Sequence, residues 1–410
     1  MDTLSEDLLE KKSVGAVIEG KLIPALLFVD DVASVTEGER DEEGMLDEVA
    51  EFAVKHKMEW GIDKCKVLEV GRHRNPRKEW KLGEKIIESA EDYKYLGDII
   101  QRNGTNGKNL EARKQKVMKA MRAVKSCARN EIMRKIENQI ILRLHDAVIV
   151  PTILTNSESW TLTKSDELFC DKIETFALKK MLWLPLTFPM AALICMTGTL
   201  YTSVRMDLKR FLFLHKILRR EDEHWTTHML HVLDKTKTMW SAKMREKLVD
   251  YRLETDWEKI KEKHESIWKA QVKKATEKKN KELLLDECYK NNGEGIKMKT
   301  ESLIEILSDN DYVRAPSNII MKMERDKARI ILIARFRMLD CANNYSQKYG
   351  TKNCDKCLKT DDENHRINRC EKERIQEREW IEFDCIYEDN GETLKNMVQV
   401  IAQTWGVKYQ

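Results

Sequence analysis

Proline and glycine are scarce, at 6 and 16 of 410 residues. A β-sandwich or barrel needs a turn about every 8–12 residues, and so few turn formers point instead to long solvated helices. Long apolar runs are missing too. The longest, Met181 to Met196, falls short of the roughly 20 residues a spanning helix needs and is interrupted by Pro185 and Pro189. No secretory apolar region opens the chain. The expectation is a soluble, intracellular protein, nuclear sites included, that is neither secreted nor membrane-bound. The ten cysteines are irregularly scattered apart from one cluster, which argues against a disulfide framework and for a reducing compartment.

Charge is abundant but segregated. Charged residues make up 35% of the chain while the net charge is only +3. Residues 1–60 hold 6 Lys/Arg against 16 Asp/Glu, and residues 108–146 hold 11 against 4. Acidic and basic faces are therefore separate, as suits association with nucleic acid. A chain of this length accommodates two or three domains.

In Phe28-Val29-Asp30-Asp31 the two aspartates lie between the apolar runs Leu26 to Val29 and Val32 to Val35, which reads as strand, tight turn, strand. Neighbouring side chains alternate along a strand, so two adjacent aspartates converge only where the chain reverses. Asp-Asp is a poor choice on turn chemistry, which favours Asn-Gly or Asp-Gly. Two readings remain open: a solvated acidic turn, or a paired-carboxylate site for Mg²⁺ or Mn²⁺ carrying substrate phosphates. An amphipathic helix follows, with Met45, Leu46, Val49, Phe52 and Ala53 at helical spacing. Then come Trp60-Gly61-Ile62-Asp63-Lys64-Cys65-Lys66, a hairpin-like stretch around Lys81 to Ile87, and Asp92-Tyr93-Lys94-Tyr95-Leu96-Gly97.

In this order the elements resemble the reverse transcriptase of a non-LTR (LINE-type) retrotransposon. That family has an aromatic-x-Asp-Asp palm hairpin, a lysine segment after it, and a Tyr-Leu-Gly strand leading into the thumb. The resemblance extends through Glu158-Ser159-Trp160-Thr161-Leu162-Thr163 and Met196-Thr197-Gly198 to Arg219-Arg220, and returns at a cysteine cluster near residue 354. It implies an RNA-directed DNA polymerase using two-metal nucleotidyl transfer, with an RNA template and a DNA primer as partners. Asp30 would be the direct Mg²⁺ ligand, Asp31 the weaker one, and Lys64 would sit near the triphosphate. Cys65 stands where the family has Thr or Ser. Residues before Phe28 supply neither the earlier palm aspartate nor the fingers, so the expectation is an N-terminally truncated, inactive polymerase with weak metal binding.

From Asn109 to Arg129, the residues Lys114, Lys116, Lys119, Arg122, Lys125 and Arg129 recur beside Val117, Met118, Met121 and Val124. One stripe can pack while the other meets solvent. The basic stripe reads either as a solvated face or as a thumb helix along a primer–template duplex, where Lys and Arg neutralise phosphates without reading sequence. Lys259 to Lys281 is also lysine-rich and reads as a charged helix or connector, with RNA contact as the other reading.

Cys354-x2-Cys357-x7-His365-x4-Cys370 supplies three thiolates and an imidazole at spacings that suit a closed tetrahedral Zn²⁺ site. The alternative is four free structural residues. Lys352, Lys356, Lys359, Arg366 and Arg369 surround the cluster and would favour a polyanion. So polar a stretch is expected to have little core of its own and to depend on the metal for its folding.

The expected architecture is α+β. A remnant polymerase palm, antiparallel strands with packed helices, occupies residues 1–104. A helical thumb and its continuation follow at 105–235, a charged helical connector at 236–315 and a zinc-binding module at 316–410, with breaks at 291–295 and 315–318. A competing reading of the whole is a non-catalytic nucleic-acid-binding protein derived from a retroelement.

Overall fold

The computed structural model describes residues 15–23, 25–71, 79–127, 137–221, 224–290, 307, 320, 322–341, 343–368, 370, 383, 386 and 390–405. The breaks expected at 291–295 and 315–318 lie outside them. The protein is mixed α+β, helix-dominated, with small and mainly antiparallel sheets. It divides into two compact units, Met1–Glu111 with Arg220–Ala242, and Ala112–Arg219 with Lys243–Gln410. Among the described residues, no helix is long and apolar enough to cross a membrane.

The first unit carries the strands. β1 (Ala16–Ile18) pairs with β2 (Lys21–Ile23), and β3 (Ala25–Phe28) with β4 (Asp31–Ser34), both antiparallel. β5 (Lys66–Val67) runs parallel to β7 (Lys85–Ser89), which pairs antiparallel with β6 (Trp80–Leu82). β8 (Asp92–Tyr95) and β9 (Asp98–Gln101) form a further antiparallel hairpin. Helix α1 (Glu39–Lys55) follows the β3–β4 hairpin and buries the five residues whose spacing marks it: Met45, Leu46, Val49, Phe52 and Ala53. The first four form one core with Val67, Trp80, Leu82 and Ile87, and the hairpin lays Leu27 and Val32 against it. Because Leu27 and Val32 are cross-strand partners, the alternation of side chains puts Leu26, Phe28 and Asp31 on the opposite face.

The second unit is helical. α2 (Gly107–Cys127) leads into it, and α3 (Asn138–Leu144) passes through a π-helical turn, His145–Ile149, to α4 (Val150–Leu154). The following helices are α5 (Lys164–Met181), α6 (Met190–Thr197) and α7 (Thr202–Leu218). A capping box starts α5: Thr163 Oγ1 accepts from the Asp166 N–H at 3.2 Å and Asp166 Oδ2 accepts from the Thr163 N–H at 2.9 Å. The Glu158 to Thr163 segment is a packing hub. Trp160 and Leu162 are buried, the Arg113 guanidinium lies 5.4 Å from the Trp160 ring centroid, and the Trp160 carbonyl accepts from Arg210 Nη2 at 3.3 Å. In Met196-Thr197-Gly198, Gly198 ends α6 at φ 63°, a left-handed cap that glycine adopts without strain.

Two buried carboxylates of α5 hold the start of α7. Asp171 accepts from the Ser203 N–H at 2.8 Å and from Ser203 Oγ at 2.9 Å, while Glu174 accepts from the Thr202 hydroxyl and lies 3.4 Å from the buried His145 ring. Burial raises the Asp171 carboxyl to about 7, against the lowering effect of the Ser203 bonds. An unfolded aspartate titrates near 3.9. Between those pH values the folded chain keeps a proton that the unfolded chain has released, so this group's stabilisation is complete below about pH 4 and is lost as pH rises through 7. Asp171→Asn is expected to flatten the slope of unfolding free energy against pH between 4 and 7, as read from urea titrations at several pH values. An unchanged slope would show that Asp171 is ionised throughout.

Candidate metal centres and basic faces

The β3–β4 hairpin closes through a two-residue loop, Val29-Asp30, rather than through the aspartate pair itself. Asp31 is the first residue of β4 and pairs with Phe28, while Asp30 is the second loop residue. The core sets this register, since sliding by one residue would turn Leu27 and Val32 outward. Val29 takes φ 55° and is 77% exposed. A left-handed β-branched residue costs about 1–2 kcal/mol, and no burial of Val29 offsets that cost. Such strain recurs where a loop's shape serves a ligand.

The Asp31 hairpin, the Lys64 turn and the Tyr93/Tyr95 hairpin are linked through the two tyrosines. The 3₁₀ turn Ile62–Lys64 leaves the Lys64 side chain exposed, and the Lys64 carbonyl accepts from Tyr93 Oη at 3.1 Å. Burial, then the charge of Asp31, holds the Tyr95 phenol above its ordinary value. Tyr93 is raised by burial, then by Cys65 and Asp31, with Lys66 opposing. Tyr93 and Tyr95 therefore sit within electrostatic reach of Asp31, on one face of a hairpin whose Leu96-Gly97 loop supplies two positive φ angles, 45° and 91°. Lys66 is engaged by Glu88 at 2.7 Å across the parallel pair. Among the described residues, no third carboxylate joins Asp30 and Asp31.

The Cys/His cluster is assembled. The ligand atoms of Cys354, Cys357, His365 and Cys370 all lie within 4.8 Å of one another. Cys354 Sγ and Cys370 Sγ are 4.0 Å apart, and Cys357 Sγ and His365 Nε2 are 3.7 Å apart. A tetrahedron built on Zn–S bonds of about 2.3 Å has sulfur–sulfur edges of about 3.8 Å, close to the two separations above, so the set could hold a metal such as Zn²⁺. The knuckle closes by Cys354 N–H to Lys359 O at 2.8 Å and Leu358 N–H to Cys354 O at 2.9 Å, with Leu358 at φ 62°. A hydrogen bond from the Lys359 backbone N–H is the main cause that lowers the Cys357 thiol. His365 rides on the short helix Glu363–Ile367, whose cap Asp362 accepts from the His365 N–H at 2.8 Å. That cap is a ligand-positioning residue the spacing argument overlooked. Its signal, an aspartate just before a helical turn, is present in the sequence.

Around the centre, Lys352, Lys356 and Lys359 are exposed. Arg366 is not a free cation: Asp361 binds it through both oxygens at 2.9 and 2.6 Å. Arg369 lies outside the described residues. The surrounding module has more core than its polarity suggests. Ile331, Leu332, Phe336, Leu394, Val398 and Ile401 are buried, largely between helices Arg325–Arg335 and Gly391–Trp405. Phe336 also meets Phe188 edge to face at 5.3 Å, tying the module to the rest of its unit.

Along α2, Lys116, Lys119 and Arg122 are exposed, and Val117 is fully buried opposite them. Lys114 departs from the expected stripe: it is half-buried, with Nζ 5.8 Å from the Phe169 ring centroid. The Lys125 side chain and Arg129 lie outside the description.

Compared with known proteins, the chain matches no family model, no curated protein and no solved structure.

Proposed function

We propose that the chain is a portion of a non-LTR retrotransposon reverse transcriptase, whose palm contributes Asp30 and Asp31 to a divalent-metal site and whose helical unit contacts an RNA–DNA duplex. The observation that carries this reading is the linkage of three motifs spread over more than sixty residues: Tyr93 bonds the Lys64 turn, and the charge of Asp31 reaches both Tyr93 and Tyr95. Asp30 and Asp31 would hold Mg²⁺ or Mn²⁺, which would supply charge neutralisation for phosphoryl chemistry. Lys64 would lie near a triphosphate. Two carboxylates make a weak site, and each 1.36 kcal/mol of lost transition-state stabilisation costs about tenfold in rate, so the chain alone is catalytically silent in this proposal.

Tb³⁺ is a suitable stand-in because neighbouring tyrosines sensitise its luminescence. The intact chain should show saturable luminescence that Mg²⁺ or Mn²⁺ suppresses, cut at least tenfold in Asp30→Asn/Asp31→Asn, with no primer extension by either protein. Equal luminescence from both proteins would refute the polymerase reading and leave the second one, a non-catalytic nucleic-acid binder, which the exposed basic residues of α2 favour. Template-directed incorporation lost in Asp30→Ala would refute the silent state instead.

A further inference from the structure

The long helix Glu265–Lys290, here α8, has two chemically distinct faces. Its inner stripe, Trp268, Val272, Thr276, Asn280, Leu284 and Cys288, repeats every four residues and is buried throughout. Specific bonds to α7 and its approach fix the helix. Trp268 Nε1 donates to Phe211 O at 3.0 Å, Asn280 Oδ1 accepts from the Tyr201 N–H at 3.0 Å, and Glu287 accepts from Tyr201 Oη at 2.5 Å and from the Ala191 N–H at 3.2 Å. The rotation of α8 about its axis is thereby set, and with it the direction of everything on its outer side.

That outer side exposes Lys269, Lys273, Lys274 and Lys278, and none of the four has a partner among the described residues. Lys279, nearer the packed side, is engaged by Asp250 at 2.7 Å and Glu282 at 3.9 Å. Glu277 is the acidic residue within the face. Like charges one helical turn apart, as in Lys269–Lys273 and Lys274–Lys278, repel and weaken a helix. A purely structural helix gains nothing from this arrangement. Each such pair spans about 6 Å along the axis, close to the roughly 7 Å covered by two phosphate steps of one strand.

We infer that the outer face of α8, through Lys269, Lys273, Lys274 and Lys278, is a sequence-independent binding surface for the phosphate backbone of nucleic acid. Its residues are distinct from those of the basic stripe of α2 and of the Cys/His centre. Lysine ammoniums at these positions act as point charges that displace counterions, so they strengthen binding without reading bases. This inference rests on the reading of the protein as one that handles nucleic acid.

The test uses the whole chain and a fluorescent RNA–DNA hybrid of random sequence, titrated at several salt concentrations. The variant is Lys269→Gln/Lys273→Gln/Lys274→Gln/Lys278→Gln, since glutamine keeps nearly the helix propensity of lysine. A control carries the same charge change at the exposed Lys55, Lys57, Lys81 and Lys85 of the first unit. With about 0.9 counterions released per contact, the variant's salt slope should be shallower by about 3–4, and its affinity near 0.1 M salt at least about tenfold weaker. The control should keep both, and circular dichroism should show equal helix content in all three proteins. Equal slopes for wild type and variant would overturn this inference alone. An equal loss in the control would also overturn it, by tracing the effect to net charge. Binding to phosphatidylserine vesicles that the variant loses, with hybrid binding unchanged, would replace it with a membrane surface. Absence of hybrid binding by the wild type at low salt would sink the inference and the functional proposal together.

Discussion

Cys357→Ser should remove one Zn²⁺ per chain and loosen the module around it. The four ligand atoms already lie within 4.8 Å of one another, with two pairs at 4.0 and 3.7 Å, and three of them would be thiolates with the metal bound. Structural zinc in small finger peptides contributes roughly 10–16 kcal/mol at neutral pH, more than most domains have in total stability. Here the module's own core carries part of that load. The loss should therefore be local: the knuckle and the Glu363–Ile367 helix open, while Ile331, Leu332 and Val398 stay packed. Metal analysis of the intact chain should give one zinc for the wild type and none for the variant. Protease cleavage between residues 352 and 370 should accelerate at least tenfold in the variant or on adding a chelator. Cobalt substitution should give the intense visible bands of a tetrahedral site in the wild type alone. Zinc-free wild-type protein that ignores the chelator would make these four residues ordinary side chains.

The parts of this centre that sequence reveals are the parts fixed by local spacing. Cys-x2-Cys forms a knuckle because so short a loop can aim both thiols at one point, and the same arithmetic marks α1, whose five apolar positions all turn inward. The β3–β4 hairpin was legible for the same reason, from two apolar runs flanking polar residues. Its loop was not. The flanking apolar runs favour placing Asp30-Asp31 at the tip, although turn chemistry does not, but the tertiary demand that Leu27 and Val32 share a face moves the loop back by one residue and forces Val29 into the left-handed region. Other features escape because their signals are polar. The inner stripe of α8 includes Thr276 and Asn280, which no hydrophobic periodicity would select, so the helix reads as solvated all round although one side is buried. The core of the Cys/His module is spread over residues 325 to 405, and its apolar members are diluted by charge in any short window. Lys114 and Arg366 look like free cations in sequence, yet Phe169 and Asp361 engage them, contacts that only the fold creates.

Asp207→Ala should be among the most destabilising single substitutions in the second unit. Asp207 is almost fully buried on α7 and serves three donors: Arg210 Nη1 at 2.7 Å, Lys247 Nζ at 2.9 Å and Tyr251 Oη at 2.9 Å. Burial works to lower the Lys247 ammonium, but the charges of Asp207 and Glu167 more than offset it and leave the group raised. Burial and the same aspartate hold the Tyr251 phenol well above its ordinary value. Truncating the acid would leave the buried Arg210 and the half-buried Lys247 with Glu167 as their shared counterion, at 3.5 Å from Arg210 and 2.8 Å from Lys247. Breaking a buried pair from one side costs about 3–5 kcal/mol because the desolvated partner charge stays behind. For a unit of this size that corresponds to a fall of roughly 10 °C in its thermal midpoint. If the cost is the stranded charge and not the lost bonds, removing Lys247 as well should recover part of it. Asp207→Ala/Lys247→Met should then be less destabilised than the sum of the two single changes by more than about 1 kcal/mol. Additive losses would mean that water reaches the site and solvates the lysine, and that the network is held by Tyr251 and Arg210 alone.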